Sequence, residues 1–314
     1  MALLGTSLSK NENMSDRLDT MTILLACLDA GSLSAGARHL GMPLATVSRR
    51  VADLEARIGT RLVQRSARGL TPTDAGAGYV AACRRILEDV AEAERIAAGE
   101  FAVPSGLLTL AAPIVFGRMH VVPVVSAFLR TYPQIDVRLN QADRLVNLQE
   151  EHIDVAVRVG HLPDSGLRAR RVGDVRWVCC AAPAYLSERG RPDSPEALTQ
   201  HDCISFEGHM ATDRWRFGRG NAERQVPVRT RMVINTAEAA IDAAAAGVGV
   251  ARILSYQVAE AVRTGRLELI LRDDEPDPMP VSILYGGGLV PRKVRAFVDF
   301  AGPRLETALR RLAG

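Results

Sequence analysis

Residues 32–51 read Ser32-Leu33-Ser34-Ala35-Gly36-Ala37-Arg38-His39-Leu40-Gly41-Met42-Pro43-Leu44-Ala45-Thr46-Val47-Ser48-Arg49-Arg50-Val51. Two helix starts and a glycine stop are packed into this run. Ser34 is placed to open a short helix whose Ala37 and Leu40 face inward, and Gly41 ends it. Pro43 then starts another helix in its first turn, where the N–H it lacks would be unpaired anyway. Two helices joined by a short turn containing glycine form a helix-turn-helix. Upstream, Ser15 can cap a helix that carries Leu18, Met21, Leu25 and Leu28 at helical spacing and stops at Gly31.

In the helix after Pro43, Val47, Val51, Leu54 and Ile58 are spaced 4, 3 and 4 apart. At about 100° per residue they fall in a narrow arc that must be buried. The opposite face carries Ala45, Arg49, Ala52 and Ala56, flanked by Thr46, Ser48 and Arg50. Small side chains let a helix lie deep in the major groove, and arginine can donate bidentately to guanine or clamp a phosphate. Taken alone, a solvated helix face with two arginines reads the same way. The next residues add a second feature: Gly59-Thr60-Arg61-Leu62-Val63 and Gln64-Arg65-Ser66-Ala67-Arg68-Gly69-Leu70 read as two short strands around a polar turn. Such a wing, with Arg65 and Arg68 on it, can follow the DNA backbone or enter the minor groove. Charge agrees. Residues 38–70 hold seven arginines against Asp53 and Glu55, whereas the chain as a whole is only +3. A basic cluster on a small domain is the footprint of phosphate binding.

The 32–51 run, continued by Leu54-Glu55 and Gly59-Thr60-Arg61-Leu62-Val63-Gln64-Arg65, resembles without gaps the DNA-binding domain of LysR-type transcriptional regulators. The resemblance implies that 32–51 is the recognition motif and that Ser48, Arg49 and Arg50 contact DNA. With their neighbours on the outer face and the wing, the candidate DNA-contact residues are Ser34, Ala45, Thr46, Ser48, Arg49, Arg50, Arg61, Arg65 and Arg68. The chain departs from the family at Pro43-Leu44-Ala45, where many members carry Ser-Gln-Ser, so one polar base-reading side chain is missing.

Thr71-Pro72-Thr73-Asp74 has the order of an N-cap, a first-turn proline and an acid three residues after the cap, and predicts a long helix. Along it Tyr79, Cys83, Ile86, Val90, Ala93 and Ala97 follow a 4-3-4-3-4 spacing with charged residues between them. A seam of this kind argues for pairing between two chains, although packing on the helix's own domain would use the same residues. Family members pair through this helix and often assemble further, so the resemblance implies a homodimer or homotetramer.

Beyond the break at Gly99 to Gly106, strands alternate with helices, the pattern of an α/β domain with largely parallel sheet. Strands are expected at Leu107–Ala111, Ile135–Leu139, Ile153–Val159, Val175–Ala181, Gly247–Ile253 and Val281–Tyr285. Helices are expected at Gly117–Tyr132, Leu145–Glu151, Ala237–Ala246 and from Pro291 onward. The residues Ile153-Asp154-Val155-Ala156-Val157-Arg158-Val159-Gly160, Ala182-Pro183-Ala184-Tyr185-Leu186 and Gly247-Val248-Gly249-Val250 resemble the effector domain of the same family, a two-lobed fold similar to periplasmic solute-binding proteins. The implied organisation is a leader (1–15), an all-α winged helix-turn-helix domain (16–72), a linker helix (73–103), an effector domain (104–302) and a tail (303–314). Within the effector domain, lobe I takes 104–170 and 277–302, and lobe II 171–276.

An effector would sit between the lobes, near strand ends and helix N-termini that present free N–H groups to an anion. The candidate ligand-binding residues are Ala112, Pro113, Ile114, Val115, Phe116, Gln141, Arg158, Ser205, Phe206, Asn235 and Thr236. Arginines in this half hint at an organic acid, against which its equal numbers of acids and bases weigh.

Catalytic signatures are missing: there is no GxSxG, HExxH or GxxxxGKS/T, and the histidines have no metal-ligand spacing. No enzyme activity, cofactor or metal is expected. Five cysteines without CxxC spacing argue against a disulfide framework and for thiols kept reduced. No apolar run approaches the roughly 20 residues of a membrane span. Residues 1–13 lack the apolar stretch of an export signal, so a cytoplasmic protein is expected. The partners expected are promoter DNA, a small-molecule effector and further copies of the chain. A cytoplasmic solute-binding-like protein that reads no DNA sequence is the alternative.

Overall fold

The computed structural model describes residues 14–66, 69–97, 103–144, 146–162, 166–206, 213–288 and 290–313. The chain divides into two compact units, Met1–Ala102 and Val103–Gly314.

The first unit contains α1 (Met14–Asp29), α2 (Leu33–His39), α3 (Leu44–Ile58), β1 (Val63–Ser66), β2 (Gly69–Pro72) and α4 (Asp74–Ala97). Ser32, not Ser34, caps α2: its extended backbone lets Oγ accept from the Ala35 N–H at 3.1 Å, while Ser34 is already inside the helix. A cap must precede the first turn to reach an orphan N–H, which explains the shift. Pro43 likewise stands at the N-cap of α3 rather than in its first turn. Val47, Val51 and Leu54 are buried against Ile23, Leu24, Cys27 and Ala37, but Ile58 is 38% exposed because α3 runs past the end of this core.

Gly59 ends α3 in the left-handed region (φ 77°), a conformation glycine adopts without steric cost. Glu55 Oε1 then accepts from the Leu62 and Val63 N–H groups at 2.7 and 3.0 Å, fastening β1 to α3. Strands β1 and β2 pair antiparallel from Val63↔Pro72 to Ser66↔Gly69. Thr71 and Pro72 are therefore strand residues. The cap of α4 is Thr73, whose Oγ1 accepts from Gly76 at 3.0 Å. A Cβ at Gly76 would lie 1.9 Å from the Leu62 carbonyl oxygen, so only glycine allows this crossing.

The seam expected on α4 is divided. Cys83 is fully buried and Tyr79 half-buried in the unit's own core beside Val80 and Leu87, because the first turns of α4 pack on α1. Ile86 (41%) and Ala93 are exposed and Val90 is half-buried. The side chain of Ala97 lies outside the described residues.

The second unit opens with β3 (Gly106–Ala112), then α5 (Ile114–Phe116), a π-helical turn (Gly117–Val121) and α6 (Val122–Thr131). This stretch is apolar enough to pass for a membrane helix, but Phe116, Val121, Val124, Val125 and Phe128 are core residues. Next come β4 (Ile135–Gln141), β5 (Val155–Val159), β6 (Arg168–Val175), β7 (Trp177–Ala181), α7 (Pro183–Arg189), β8 (Asp202–Phe206), β9 (Arg214–Phe217), β10 (Arg224–Pro227) and β11 (Arg229–Ile234). The unit ends with α8 (Ala237–Ala245), β12 (Val250–Leu254), α9 (Ser255–Arg263), β13 (Glu268–Ile270), β14 (Met279–Tyr285) and α10 (Arg292–Ala313).

Two five-stranded sheets form the lobes, in the orders β4-β3-β5-β14-β6 and β11-β8-β12-β7-β13. Each is half parallel and half antiparallel, not largely parallel. The reason is connectivity: the chain enters lobe II after Val175 and returns before Met279, so β14 must run back along β5. Arg176 on the first crossing donates to Glu275 on the second at 2.5 Å, which ties them together. The expected helix at Leu145–Glu151 is absent over its described residues. Asn147 Oδ1 instead accepts from the Gln149 N–H at 3.1 Å and folds the segment into turns. Residues 303–313 are no tail but the second half of α10, with Leu305 and Leu309 buried.

Candidate DNA-contact face and interlobe cavity

Burial of Val47, Val51 and Leu54 turns the other side of α3 outward. Ala45, Ser48 and Arg49 are exposed and Thr46 is half-buried. Arg61, just past the helix, is also exposed, as is Ser34 on α2. Arg50 differs from the sequence expectation. Its guanidinium pairs with Asp16 on α1, which holds it within the unit instead of leaving it free beside Arg49. The Arg65 side chain and all of Arg68 lie outside the described residues, although the Arg65 backbone pairs with Leu70 in the wing. One outward residue was missed: Leu44 is 49% exposed, a turn before Ser48. Its spacing of four from Ser48 was the available signal.

The second unit holds a cavity of about 810 Å³ lined by both lobes. Of the residues expected there, Ala112, Pro113, Arg158 and Ser205 line it. Val115 and Phe116 do not: they are 3% and 0% exposed in the core, because Pro113 starts a helical turn that points them inward. Ile114, Gln141, Asn235 and Thr236 are exposed and lie outside the lining. The Phe206 side chain is outside the described residues. One N–H at the helix start after Pro113 is already engaged, since that of Ile114 donates to Asp143 Oδ1 at 3.0 Å.

Residues far apart in the chain complete the cavity. Arg252 is 5% exposed and donates to the Arg216 carbonyl at 2.8 Å, with its guanidinium carbon 5.1 Å from the Trp177 ring centre and 5.7 Å from that of Phe217. Burial pushes its pKa down to about 10. Arg144 is held by Glu151 at 2.5 Å, and Arg216 lies 3.7 Å from Glu223. Arg158 is half-buried, burial lowers its pKa, and it makes no hydrogen bond or ion pair among the described residues. Phe116 of lobe I meets Tyr256 of lobe II edge-on at 5.3 Å, with His120 4.8 Å from Phe116. Burial lowers the His120 pKa. Short apolar runs and single arginines gave no sequence signal for Trp177, Arg252 or Tyr256 as cavity residues.

Residues 18–77 match the family model described as the bacterial regulatory helix-turn-helix protein of the lysR family, and residues 102–306 match the LysR substrate binding domain. An HTH-type transcriptional repressor of Pseudomonas aeruginosa (strain UCBPP-PA14) is 34% identical over 288 residues, with 91% of each chain covered. The structure of CrgA, a LysR-type transcriptional regulator from Neisseria meningitidis, is 29% identical with a TM-score of 0.58, covering 91% of this chain and 98% of that one. The full-length structure of AphB, a Vibrio cholerae virulence activator, is 29% identical with a TM-score of 0.57, covering 90% and 98%. With an outward helix face in the first unit, a cavity in the second, and both family domains matched in that order, this chain belongs to the LysR family of DNA-binding transcriptional regulators with an effector-binding domain.

Proposed function

We propose that two copies of this chain place their α3 helices in successive major grooves of a promoter, and that a small organic acid in the interlobe cavity shifts this binding. The observation that carries the DNA half is the exposed Ala45, Ser48 and Arg49 face, backed by the buried Val47, Val51 and Leu54. Arg49, Thr46 and Ser48 read bases, and Arg61, Arg65 and Arg68 hold phosphates. Ile86, Val90 and Ala93 on the outer side of α4 supply the contact between copies, since two half-sites about one DNA turn apart need two helices held at fixed separation. Acting on chromosomal DNA places the protein in the cytoplasm. A ligand switches the assembly only by binding one arrangement better than another.

Selection of genomic fragments by the purified full chain at two salt concentrations tests this. The expected result is enrichment of a few intergenic sites with a split inverted repeat, lost in Arg49→Ala. Arg61→Ala should weaken all sites alike and lower the salt slope by about one. Enrichment that stays sequence-blind, with and without metabolite extract, would refute the reading.

A further inference from the structure

The cavity has two chemically distinct parts on one face of the lobe I sheet. Ala156 and Arg158 are two residues apart on β5, so their side chains emerge on the same face about 7 Å apart. Ala156 pairs with Leu284 on one side and Ala111 on the other. These three join Leu148, Val146, Leu162 and Leu167 in an apolar cluster separate from the main core. All of these line the cavity, and so does Arg158, on the same face of β5 as Ala156.

Charge narrows the choice of ligand. The Ile114 N–H already serves Asp143, and Asp143, Glu223 and Asp277 also line the cavity. Arg144 and Arg216 face their own carboxylates, Arg252 is packed on Trp177 and Phe217, and Arg214 is exposed. Arg158 remains as the half-buried cation without a partner among the described residues. One guanidinium matches one carboxylate through two parallel N–H···O bonds. A second carboxylate would find no other half-buried cation without a partner among the described residues of the lining.

We infer that the effector is a monocarboxylate with an apolar body, its carboxylate on Arg158 and its body against Leu148, Leu162, Leu167 and Leu284. This rests on the proposal that the cavity is the effector site and adds the ligand's chemical class. A carboxylate on the Ile114 N–H would require Asp143 to leave; binding at Arg158 does not.

Both tryptophans of the chain, Trp177 and Trp215, line the cavity, so intrinsic fluorescence of the full-length protein reports its occupancy. Titration with phenylacetate, acetate and phenylacetamide separates the two parts of the site. Phenylacetate should bind at least tenfold tighter than either of the others. Arg158→Gln should remove the preference for phenylacetate over phenylacetamide, Arg158→Lys should keep part of it, and Leu167→Ser should weaken phenylacetate several-fold without affecting acetate. Unchanged thermal denaturation would show that each variant is folded. Equal binding of phenylacetate and phenylacetamide, binding unaltered in Arg158→Gln, or no binding by either carboxylate would overturn the assignment. DNA affinity measured alongside keeps the two claims apart. Phenylacetate bound through Arg158 without any change at the promoter would support the ligand class and refute the effector role. Promoter response to metabolite extract with no carboxylate bound would do the reverse.

Discussion

The outer face of α3 and the interlobe cavity both depend on arginine, and they use it in opposite ways. Arg49 and Arg61 stand exposed in a segment where seven arginines face two acids, so their attraction for phosphate is additive, long-ranged and screened by salt. Arg158 and Arg252 sit at a cavity among acids and aromatic rings, where each acts singly and the lower dielectric strengthens a short contact. An exposed cation adds to affinity through number. A cavity cation adds through position, and where it is packed as Arg252 is, its removal disturbs the fold that holds it.

The largest expected effect exploits that contrast. Arg252→Ala should destabilise the second unit by about 3 kcal/mol, since it removes a desolvated cation–π contact and leaves the Arg216 carbonyl without its donor. Arg49→Ala should change stability by less than about 0.5 kcal/mol. Urea unfolding of both variants measures this, and equal losses would erase the distinction. Next in size is Glu55→Ala, which strips two N–H groups of their acceptor and should cost about 1–2 kcal/mol in the first unit. Restoration of an acceptor in Glu55→Gln should recover part of it.

A smaller effect appears in acid. Burial holds the pKa of both His120 and His201 below the ordinary value of about 6.5. Such a group favours the folded state while neutral. That contribution is complete above pH 6.5 or so and is lost as pH falls through the folded value. Both histidines are in the second unit, so mild acid should weaken it, and His201→Gln should flatten the decline seen in a pH series of denaturation curves.

The smallest effect is expected at the thiols. All five cysteines are buried, and burial pushes Cys179 and Cys203 up to about 12 and Cys180 higher. The stability they lend is present below about pH 9 and lost as pH rises towards 12. An alkylating reagent at pH 8 should therefore label none in the native protein and all five after denaturation, as counted by mass spectrometry. Rapid native labelling would put one of them at an open site.

Legibility followed sequence distance. The α3 pattern was readable because Val47, Val51 and Leu54 belong to one helix, whose period sorts inside from outside. Ser32 displaced Ser34 as the cap of α2 by two residues, within the range that local signals leave open. The α4 seam leaves pairing and packing within the unit open, because a heptad does not say which body covers it; at Tyr79 and Cys83 the unit's own core does so. In the cavity, Ala112, Pro113, Arg158 and Ser205 were legible from strand ends, but Val115 and Phe116 were turned into the core by a single helical turn.

By itself, then, the sequence determined the helix-turn-helix, its outward face, the basic charge of that segment and the alternation that builds a two-lobed domain. Helical and strand periods and local charge are properties of neighbouring residues. Only the tertiary structure decided that Arg50 is engaged by Asp16, that Asp143 takes the Ile114 N–H, and that Arg158 shares a cavity with an apolar cluster drawn from β3, β5, β14 and two loops. Those outcomes depend on which distant segments meet, and side-chain partnership across such contacts leaves no period in the chain.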